Sequence, residues 1–259
     1  MVRVVVIGSL PQSLLNFRGP LLKSMVDRGH EVHALSPPAQ TEVVDGLAAI
    51  GVRHHAYPLV RTGLNPLQDL GTGRALVQIV RGLQPDCLLA YTVKAVIYGG
   101  LAARIARVPR YYALISGLGY TFSGKGIKSR LVGALVRPLY RFSLSHAAHV
   151  FFQNADNLEV FESAGLLAGS EQAVLVNGSG VDLTHFAPVP LPSEPAFLMV
   201  GRLLREKGVL EYVAAARAVK ARHPDAVFRL AGWIDPHPDA IKQADLDAWI
   251  EEGVIEFLG

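Results

Sequence analysis

After Met1 the chain reads Val2-Arg3-Val4-Val5-Val6-Ile7-Gly8-Ser9, and this segment introduces a pattern that the rest of the sequence repeats. Five of its first six residues are apolar, which is typical of a strand buried on both faces. The run then ends in a glycine loop. Further strands are predicted at residues 31–36, 52–57, 87–91, 111–116, 149–153 and 173–177, and several of these segments are rich in Val, Ile, Leu, Phe or Tyr.

Helical patterns separate these strands. Leu67, Leu70, Val77 and Val80 fall near helical spacing in one such segment. Helices are predicted at residues 19–28, 66–81, 95–107, 127–147 and 154–164. Strand alternating with helix indicates βαβ units, so the predicted fold class is α/β with a mainly parallel sheet.

A proline-rich segment divides the chain. Four prolines fall within residues 185–195, which predicts a semi-rigid linker at 186–195 between a domain of residues 1–185 and one of residues 196–259. The second domain restarts the same rhythm, with strands at 197–200, 226–231 and 254–258 and helices at 208–222 and 244–252. Because so small a domain buries little surface, we expect it to be incomplete and the less stable of the two.

Composition excludes several classes of protein. Half of the residues are hydrophobic, which excludes a disordered chain, and 25 Lys+Arg against 22 Asp+Glu give a net charge of only +3. That charge gives no argument for a nucleic-acid partner. The single cysteine, Cys87, excludes an intramolecular disulfide framework and a multi-cysteine zinc site, and it favours a reducing compartment. We expect no secretory signal and no spanning segment, since no stretch approaches ~18 consecutive apolar residues.

A basic stretch runs from Lys125 to Arg141 without an acidic residue, and apolar residues are interleaved with its cations. A helix of this kind either faces anionic lipid or packs on the core with a solvated basic side. The residues assigned to a membrane-facing surface are Lys125, Lys128, Arg130 and Arg137.

Just before it, residues 119–125 match the spacing G-x-x-x-x-G-K of a nucleoside-triphosphatase loop. Gly126 stands where that motif needs a Ser or Thr hydroxyl for magnesium, which disfavours this function. The HxxH pairs at His30 and His146 lack an accompanying Cys or carboxylate cluster, so no metal site is expected.

The most informative loop is Val200-Gly201-Arg202-Leu203-Leu204-Arg205-Glu206-Lys207-Gly208-Val209. A predicted strand ends at Gly201 and a helix opens at Gly208. Arg202 and Lys207 flank the start of that helix, where free amides and the helix dipole already favour an anion. The loop therefore predicts a diphosphate site, with a chance basic loop as the alternative.

This loop resembles the donor-binding signature of family 4 of the retaining glycosyltransferases, which have the GT-B fold. The resemblance extends over nearly the whole chain, and it is specific for the branch that adds a hexose or N-acetylhexosamine to undecaprenyl-diphosphate-linked sugars. That branch builds capsules, O-antigens and glycoprotein glycans. The other segments that carry it are 16–21 (NFRGPL), 91–94 (YTVK) with 97–99 (IYG), 115–120 (ISGLGY), 151–154 (FFQN) and 178–182 (GSGVD).

The resemblance implies two Rossmann-like domains across a cleft, the first holding the acceptor and the second the nucleotide sugar. Arg202 and Lys207 would neutralise the leaving UDP diphosphate without a metal or other cofactor, and Gly8, Ser9 and Gly201 would line the nucleotide-sugar cleft. The implied partners are a UDP-sugar, a lipid-linked saccharide and the anionic inner face of the plasma membrane, to which this cytoplasmic protein would bind peripherally. The implied acceptor side comprises Arg18, Tyr91, Thr92, Lys94, Ser116 and Tyr120.

The sequence departs from the family at two points. The loop after Ser116 lacks the histidine that many relatives carry, so no catalytic base is assigned. The family's paired glutamates are not reached by Gly259, so we expect a truncated donor domain that binds UDP weakly and transfers no sugar. Two alternatives stay open: a UDP-sugar 2-epimerase of the same fold, and a non-catalytic nucleotide-binding module.

Overall fold

A computed structural model describes residues 1–60, 65–117, 127–234 and 239–259, with the side chains of 127–132 and 135 also left out of the description. The chain divides into two compact units, Met1–Asp182 and Leu183–Gly259. This division lies close to the boundary predicted at residue 185.

A seven-stranded sheet organises the first unit. All of its pairings are parallel, in the order β3-β2-β1-β4-β5-β6-β7. The strands are β1 (Arg3–Ile7), β2 (Glu31–Ser36), β3 (Arg53–Ala56), β4 (Cys87–Tyr91), β5 (Arg110–Ile115), β6 (His149–Phe152) and β7 (Ala173–Leu175).

Helices cover both faces of this sheet. Along β1, Val5 and Ile7 enter one apolar core while Val4 and Val6 enter the other, because successive side chains of a strand point to opposite faces. The helices are α1 (Pro11–Asn16), α2 (Gly19–Asp27), α3 (Thr41–Ala49), α4 (Pro66–Leu83), α5 (Val93–Ala106), α6 (Ile127–Leu144) and α7 (Ala155–Ser163), and a 3₁₀ turn spans Ser170–Gln172.

Helices α1 and α3 are absent from the sequence-based prediction. Helix α1 has six residues, too few for a helical period to show. Helix α3 buries only Val43 and Leu47 and contains Gly46, a poor helix former, so its apolar pattern is weak.

The second unit has three parallel strands in the order β10-β9-β8. It repeats the β3-β2-β1 half of the first sheet. In that half β1 also pairs with β4, whereas β8 has no second neighbour among the described residues, and Leu198 and Val200 on β8 are 60% and 72% exposed. The elements are β8 (Ala196–Val200), a 3₁₀ turn at Arg205–Lys207, α8 (Val209–Lys220), β9 (Val227–Ala231), α9 (Gln243–Glu251) and β10 (Glu256–Phe257).

Candidate functional site

The candidate site of the first unit lies where β1 and β4 end side by side. In the strand order, β2 lies next to β1 in the direction of one edge strand, and β5 lies next to β4 in the direction of the other edge strand. In open parallel sheets the crevice at such a switch point, beyond the carboxyl ends of the strands, is where ligands bind. Gly8 and Ser9 follow β1, and Thr92 follows β4.

Gly8 is required here by the close approach of Tyr91. A Cβ at this position would overlap the Tyr91 hydroxyl and lie 2.5 Å from Cζ of the ring. Both backbone groups of Gly8 are already used, since its N–H donates to the Leu35 carbonyl (2.9 Å) and its carbonyl accepts from the Tyr57 hydroxyl (2.9 Å). Gly8 therefore shapes the loop and brings Tyr91 to the sheet edge, with no backbone donor left for a ligand.

The Ser9 and Thr92 hydroxyls share a hydrogen bond of 2.5 Å across the switch point. Thr92 has φ +72° and ψ 151°, which is an unfavourable backbone conformation for a β-branched residue. Its carbonyl nevertheless accepts the Val96 N–H and starts α5. Strain of this kind persists only where the surroundings enforce it, and it clusters at functional sites.

Arg18 is a buried cation beside this loop, with only 6% of its surface exposed. Its Nη1 donates to Ser179 Oγ (2.7 Å), to which Gln153 Nε2 also donates (3.0 Å), and its guanidinium lies 4.9 Å from the Tyr91 ring centroid. The Tyr91 hydroxyl in turn hydrogen bonds to Ser13 Oγ (2.8 Å). These contacts fix the guanidinium at one place.

Nothing in the described part of the chain neutralises Arg18. Its buried Nε has no hydrogen-bond partner there, and no described carboxylate pairs with it. Burial lowers the pKa of this guanidinium, but arginine remains charged in proteins. Because an unpaired buried charge is costly, this position is suited to an anionic ligand.

Lys94 has a different environment from Arg18. Its Nζ lies 2.8 Å from Asp69 Oδ1 and donates to the Val60 carbonyl (2.9 Å), and both side chains of the pair are nearly buried. The Asp69 contact joins Lys94 to α4, and with both contacts its ammonium is largely engaged within the fold. The same Asp69 carboxylate, after the larger effect of burial, raises the pKa of Tyr98, which keeps that phenol protonated.

In the second unit, the loop after β8 differs in detail from the prediction. The helix begins at Val209, one residue after the predicted start, and a 3₁₀ turn at Arg205–Lys207 precedes it. Gly208 has φ +82°, and no side chain caps the helix. Asp239 accepts from the Arg205 N–H through its carbonyl and from the Glu206 N–H through Oδ2, both at 3.0 Å. Lys207 is exposed, and Arg202 and Gly201 are half-buried.

Other predicted positions are less informative. Ser116 is exposed just beyond β5. Arg137 is exposed on α6. Tyr120 and Lys125 lie outside the described residues, as do the side chains of Lys128 and Arg130. In the described ranges, no helix is long and apolar enough to cross a membrane, and no three His, Cys, Asp or Glu side chains group as metal ligands.

Sequence analysis missed four residues that complete these sites, namely Ser13, Tyr57, Asp69 and Asp239. Each contacts its partner from a distant segment, and none belongs to a recognisable motif. The position of Tyr57 at the end of the strand predicted for residues 52–57 is the one signal that the sequence offered.

Comparison with known proteins decides the family. The model of the glycosyl transferase 4-like domain matches residues 19–178, more than half of the chain. The chain belongs to the glycosyl transferase 4-like family.

Two curated relatives of this glycosyl transferase 4-like chain are informative. One, from Campylobacter jejuni, is named N,N'-diacetylbacillosaminyl-diphospho-undecaprenol alpha-1,3-N-acetylgalactosaminyltransferase and is 30% identical over 95% of the chain. Another, from Escherichia coli, is named UDP-Gal:alpha-D-GlcNAc-diphosphoundecaprenol alpha-1,3-galactosyltransferase and is 24% identical over 70% of it. The chain spans 66% of the length of the first relative and 49% of the second.

The glycosyl transferase 4-like chain also matches solved structures. Sucrose-phosphate synthase from Thermosynechococcus elongatus superposes with a TM-score of 0.72 at 16% identity, and the match covers 100% of this chain and 70% of that one. At this identity the likeness shows the fold alone. The α/β class with parallel sheets is confirmed, and the chain matches part of the GT-B architecture.

Proposed function

We propose that the protein transfers a hexose or N-acetylhexosamine from a UDP-sugar to a lipid-linked saccharide, with retention of configuration. The observation that carries this proposal is the 30% identity over 95% of the chain to a relative that is named as an N-acetylgalactosaminyltransferase acting on a diphospho-undecaprenol-linked sugar. The names of both relatives specify an alpha linkage. Retention agrees with this, because the sugar of UDP-Gal is itself α-linked to the diphosphate.

The second unit supplies the donor site in this proposal. Departure of UDP places growing negative charge on the diphosphate, and fixed cations in the loop lower the free energy of that state. Gly201 and Arg202 follow β8, and Lys207 is the last residue of the 3₁₀ turn, just before the uncapped start of α8. Arginine offers a planar fork to phosphate oxygens and lysine a compact charge. The residues present thus offer charge stabilisation without a metal.

The first unit supplies the acceptor site. A lipid-linked saccharide carries a diphosphate between lipid and sugar, and Arg18 is a buried cation without a described counterion. We assign Arg18 to that diphosphate, with Tyr91 holding the guanidinium. Thr92 and Ser116 would line the saccharide, Ser9 would face the nucleotide sugar, and Gly8 would shape the loop. Lys94 would support the site through Asp69.

The proposed location is the cytoplasmic face of the plasma membrane, with peripheral binding. This follows from the lipid-linked acceptor and from the acid-free basic stretch that includes Arg137. An anionic membrane surface is therefore a proposed partner, in addition to the UDP-sugar and the acceptor.

A transfer assay with the full-length gene product tests the reaction. UDP-N-acetylgalactosamine, UDP-galactose and UDP-glucose are each incubated with an undecaprenyl-diphosphate-linked sugar, and products are read by mass spectrometry. The proposal expects one added hexose or N-acetylhexosamine in an α linkage. Interconversion of the UDP-sugar without an acceptor would identify an epimerase instead. UDP binding without any turnover would identify a nucleotide-binding module.

A further inference from the structure

A groove rich in arginine lies on the first unit, away from the switch point. It has a volume of about 640 Å³ and is formed by the last turn of α5, the second half of α6 and the segment after α7. These elements lead toward the amino ends of β5 and β6, whereas the candidate site lies at the carboxyl ends. We call it the arginine groove, and its lining residues are Arg104, Arg137, Pro138, Arg141, Phe142, Ser145, Ala164 and Leu166.

Contacts within the groove hold two of the arginines in place. Arg104 Nη1 donates to Ser145 Oγ (3.1 Å), and the Arg104 guanidinium lies 4.5 Å from the Phe142 ring centroid. Arg141 Nε donates to the Gly165 carbonyl (2.8 Å). An arginine carries five N–H donors, so each of these side chains is oriented while keeping donors for a ligand.

The groove is both cationic and apolar. None of its described lining residues is acidic. Phe142 is 48% exposed, and the neighbouring Leu139 and Ile105 are 44% and 43% exposed. Large apolar side chains beside several guanidinium groups are complementary to an amphiphile with an anionic head, because the head pairs with arginine while the chain covers the apolar surface.

We propose that the arginine groove binds the head group of an anionic phospholipid, with its acyl region against Phe142 and Leu139. The site depends on the membrane association in the proposed function and is independent of the transfer reaction. It adds Arg104 and Arg141 as lipid ligands. It places a lipid contact near the amino ends of the strands, whereas the candidate site lies at their carboxyl ends.

Vesicle co-sedimentation of the 259-residue chain tests this site. Phosphatidylcholine vesicles with and without phosphatidylglycerol are compared for the wild type and for the double variant Arg104→Gln/Arg141→Gln. We expect the variant to lose roughly ten- to thirty-fold in affinity for phosphatidylglycerol vesicles, from the effect of two cations near a charged surface. The matched control is Arg74→Gln/Arg81→Gln, which removes the same charge from the exposed face of α4. Equal losses of vesicle affinity in both double variants would show that the positive charge of the protein attracts the membrane without a specific site, and would overturn the proposed lipid site in the groove.

A charge-preserving variant separates geometry from charge. Arg104→Lys/Arg141→Lys keeps both cations but removes the planar fork and its stacking on Phe142. The groove predicts weaker binding, by about threefold or more, because each fork can bind two phosphate oxygens. Full retention of affinity would contradict it. Circular dichroism melting confirms that each variant is folded, and a variant that loses only stability would mean that the arginines serve the helix ends.

The source of the anion is tested by calorimetry in the absence of vesicles. Short-chain phosphatidylglycerol below its micelle concentration is compared with glycerol 3-phosphate and inorganic phosphate. The proposal expects the lipid to bind more tightly than either, and Phe142→Ala to reduce that difference. Equal binding of inorganic phosphate would assign the groove to a free phosphate compound and overturn the lipid site. UDP binding is measured separately, so failure of the donor site is distinguishable from failure of the groove.

Discussion

Among the described residues of the first unit, Arg18 has the clearest conflict between stability and binding. Its cation is buried and has no described carboxylate partner, so it costs free energy until an anion arrives. We predict that Arg18→Met leaves the free energy of unfolding unchanged or higher. In the full-length gene product, the same change should lower kcat/KM for the lipid-linked acceptor about 10- to 100-fold, the loss of one charged hydrogen bond of about 1.5–3 kcal/mol.

The measurements for Arg18→Met are urea unfolding and acceptor-dependent kinetics. Lys23→Met on the exposed face of α2 is the control, since its ammonium pairs only with the exposed Asp27 among the described contacts. A large drop in stability with unchanged acceptor kinetics would make Arg18 a structural residue.

Gly8 allows a test of how closely the two halves of the switch point are packed. We predict that Gly8→Ala lowers the free energy of unfolding by about 1–3 kcal/mol, because the new Cβ would displace Tyr91. Gly82→Ala is the matched control. Gly82 is a helical glycine in α4 with no atom within 4 Å of a built Cβ, so alanine there should raise stability by about 0.5–1 kcal/mol. Chemical denaturation gives both values, and a neutral Gly8→Ala would show that the loop can open.

The diphosphate loop gives a third prediction at this scale. Arg202→Ala and Lys207→Ala should each weaken UDP binding by about 1.5–3 kcal/mol, as for a charged hydrogen bond. Arg205→Ala, an exposed arginine of the same loop, should have a smaller effect because no phosphate contact is assigned to it. Isothermal titration with UDP measures all three. Unchanged affinity in the first two variants would remove the donor site from this loop.

At the scale of elements, the bounds of every strand in the two sheets were predicted to within two residues. This works for β1 and β4 because they are buried on both faces, so a continuous apolar run identifies them. Helices α1 and α3 were missed because a helix that is short, or that buries two side chains, leaves little pattern.

The candidate site was predicted only in part. The glycine loop after the first strand is visible in the sequence and identified Gly8 and Ser9, whereas Tyr91 and Thr92 were identified through the resemblance to the family. The contacts that orient them depend on how distant segments meet, as when Ser13 meets the Tyr91 hydroxyl or Asp69 meets Lys94. No local spacing contains that information.

Strands β2 and β3 form a histidine-rich edge whose stability should depend on pH. His33 Nδ1 lies 2.9 Å from His55 Nε2, and His33 Nε2 lies 3.2 Å from Glu31. Burial lowers the pKa of His33, His54 and His55 from the ordinary value near 6.5. The folded state therefore prefers the neutral rings, and the unfolded state takes up more protons.

The direction in which stability changes with pH follows directly from these pKa shifts. Stability from these rings should be present above pH ~6.5 and should fall as pH drops below it. Urea unfolding between about pH 5 and pH 8 measures this slope, which His33→Gln/His55→Gln should reduce. His223→Gln, at an exposed position of the second unit, is the control. A slope of opposite sign would mean that Glu31 dominates over burial.

At the scale of the whole molecule, the two units should differ in stability. The first has a seven-stranded sheet with a core on each face, whereas the second has three strands and leaves apolar side chains of β8 exposed. We predict that residues 1–182 unfold cooperatively on their own and at a higher urea midpoint than residues 183–259.

Separate expression of the two fragments provides that comparison. Limited proteolysis of the intact chain should cut first within residues 183–195, which are exposed throughout. A first cut inside the seven-stranded sheet, or a higher midpoint for the smaller fragment, would refute this ranking.

The hydrogen bond from Arg18 to Ser179 has a consequence for how the protein folds during its synthesis. The two residues are 161 positions apart, so the anion site joins nearly the two ends of the first unit. Loops of that length close late, after local helices and neighbouring strands have formed. During synthesis the Ser179 loop is also the last part of this unit to emerge from the ribosome. In a nascent chain, the Arg18 guanidinium would therefore lack its Ser179 contact until the sheet is complete. Binding of the ligand at this site would then indicate that the first unit has folded.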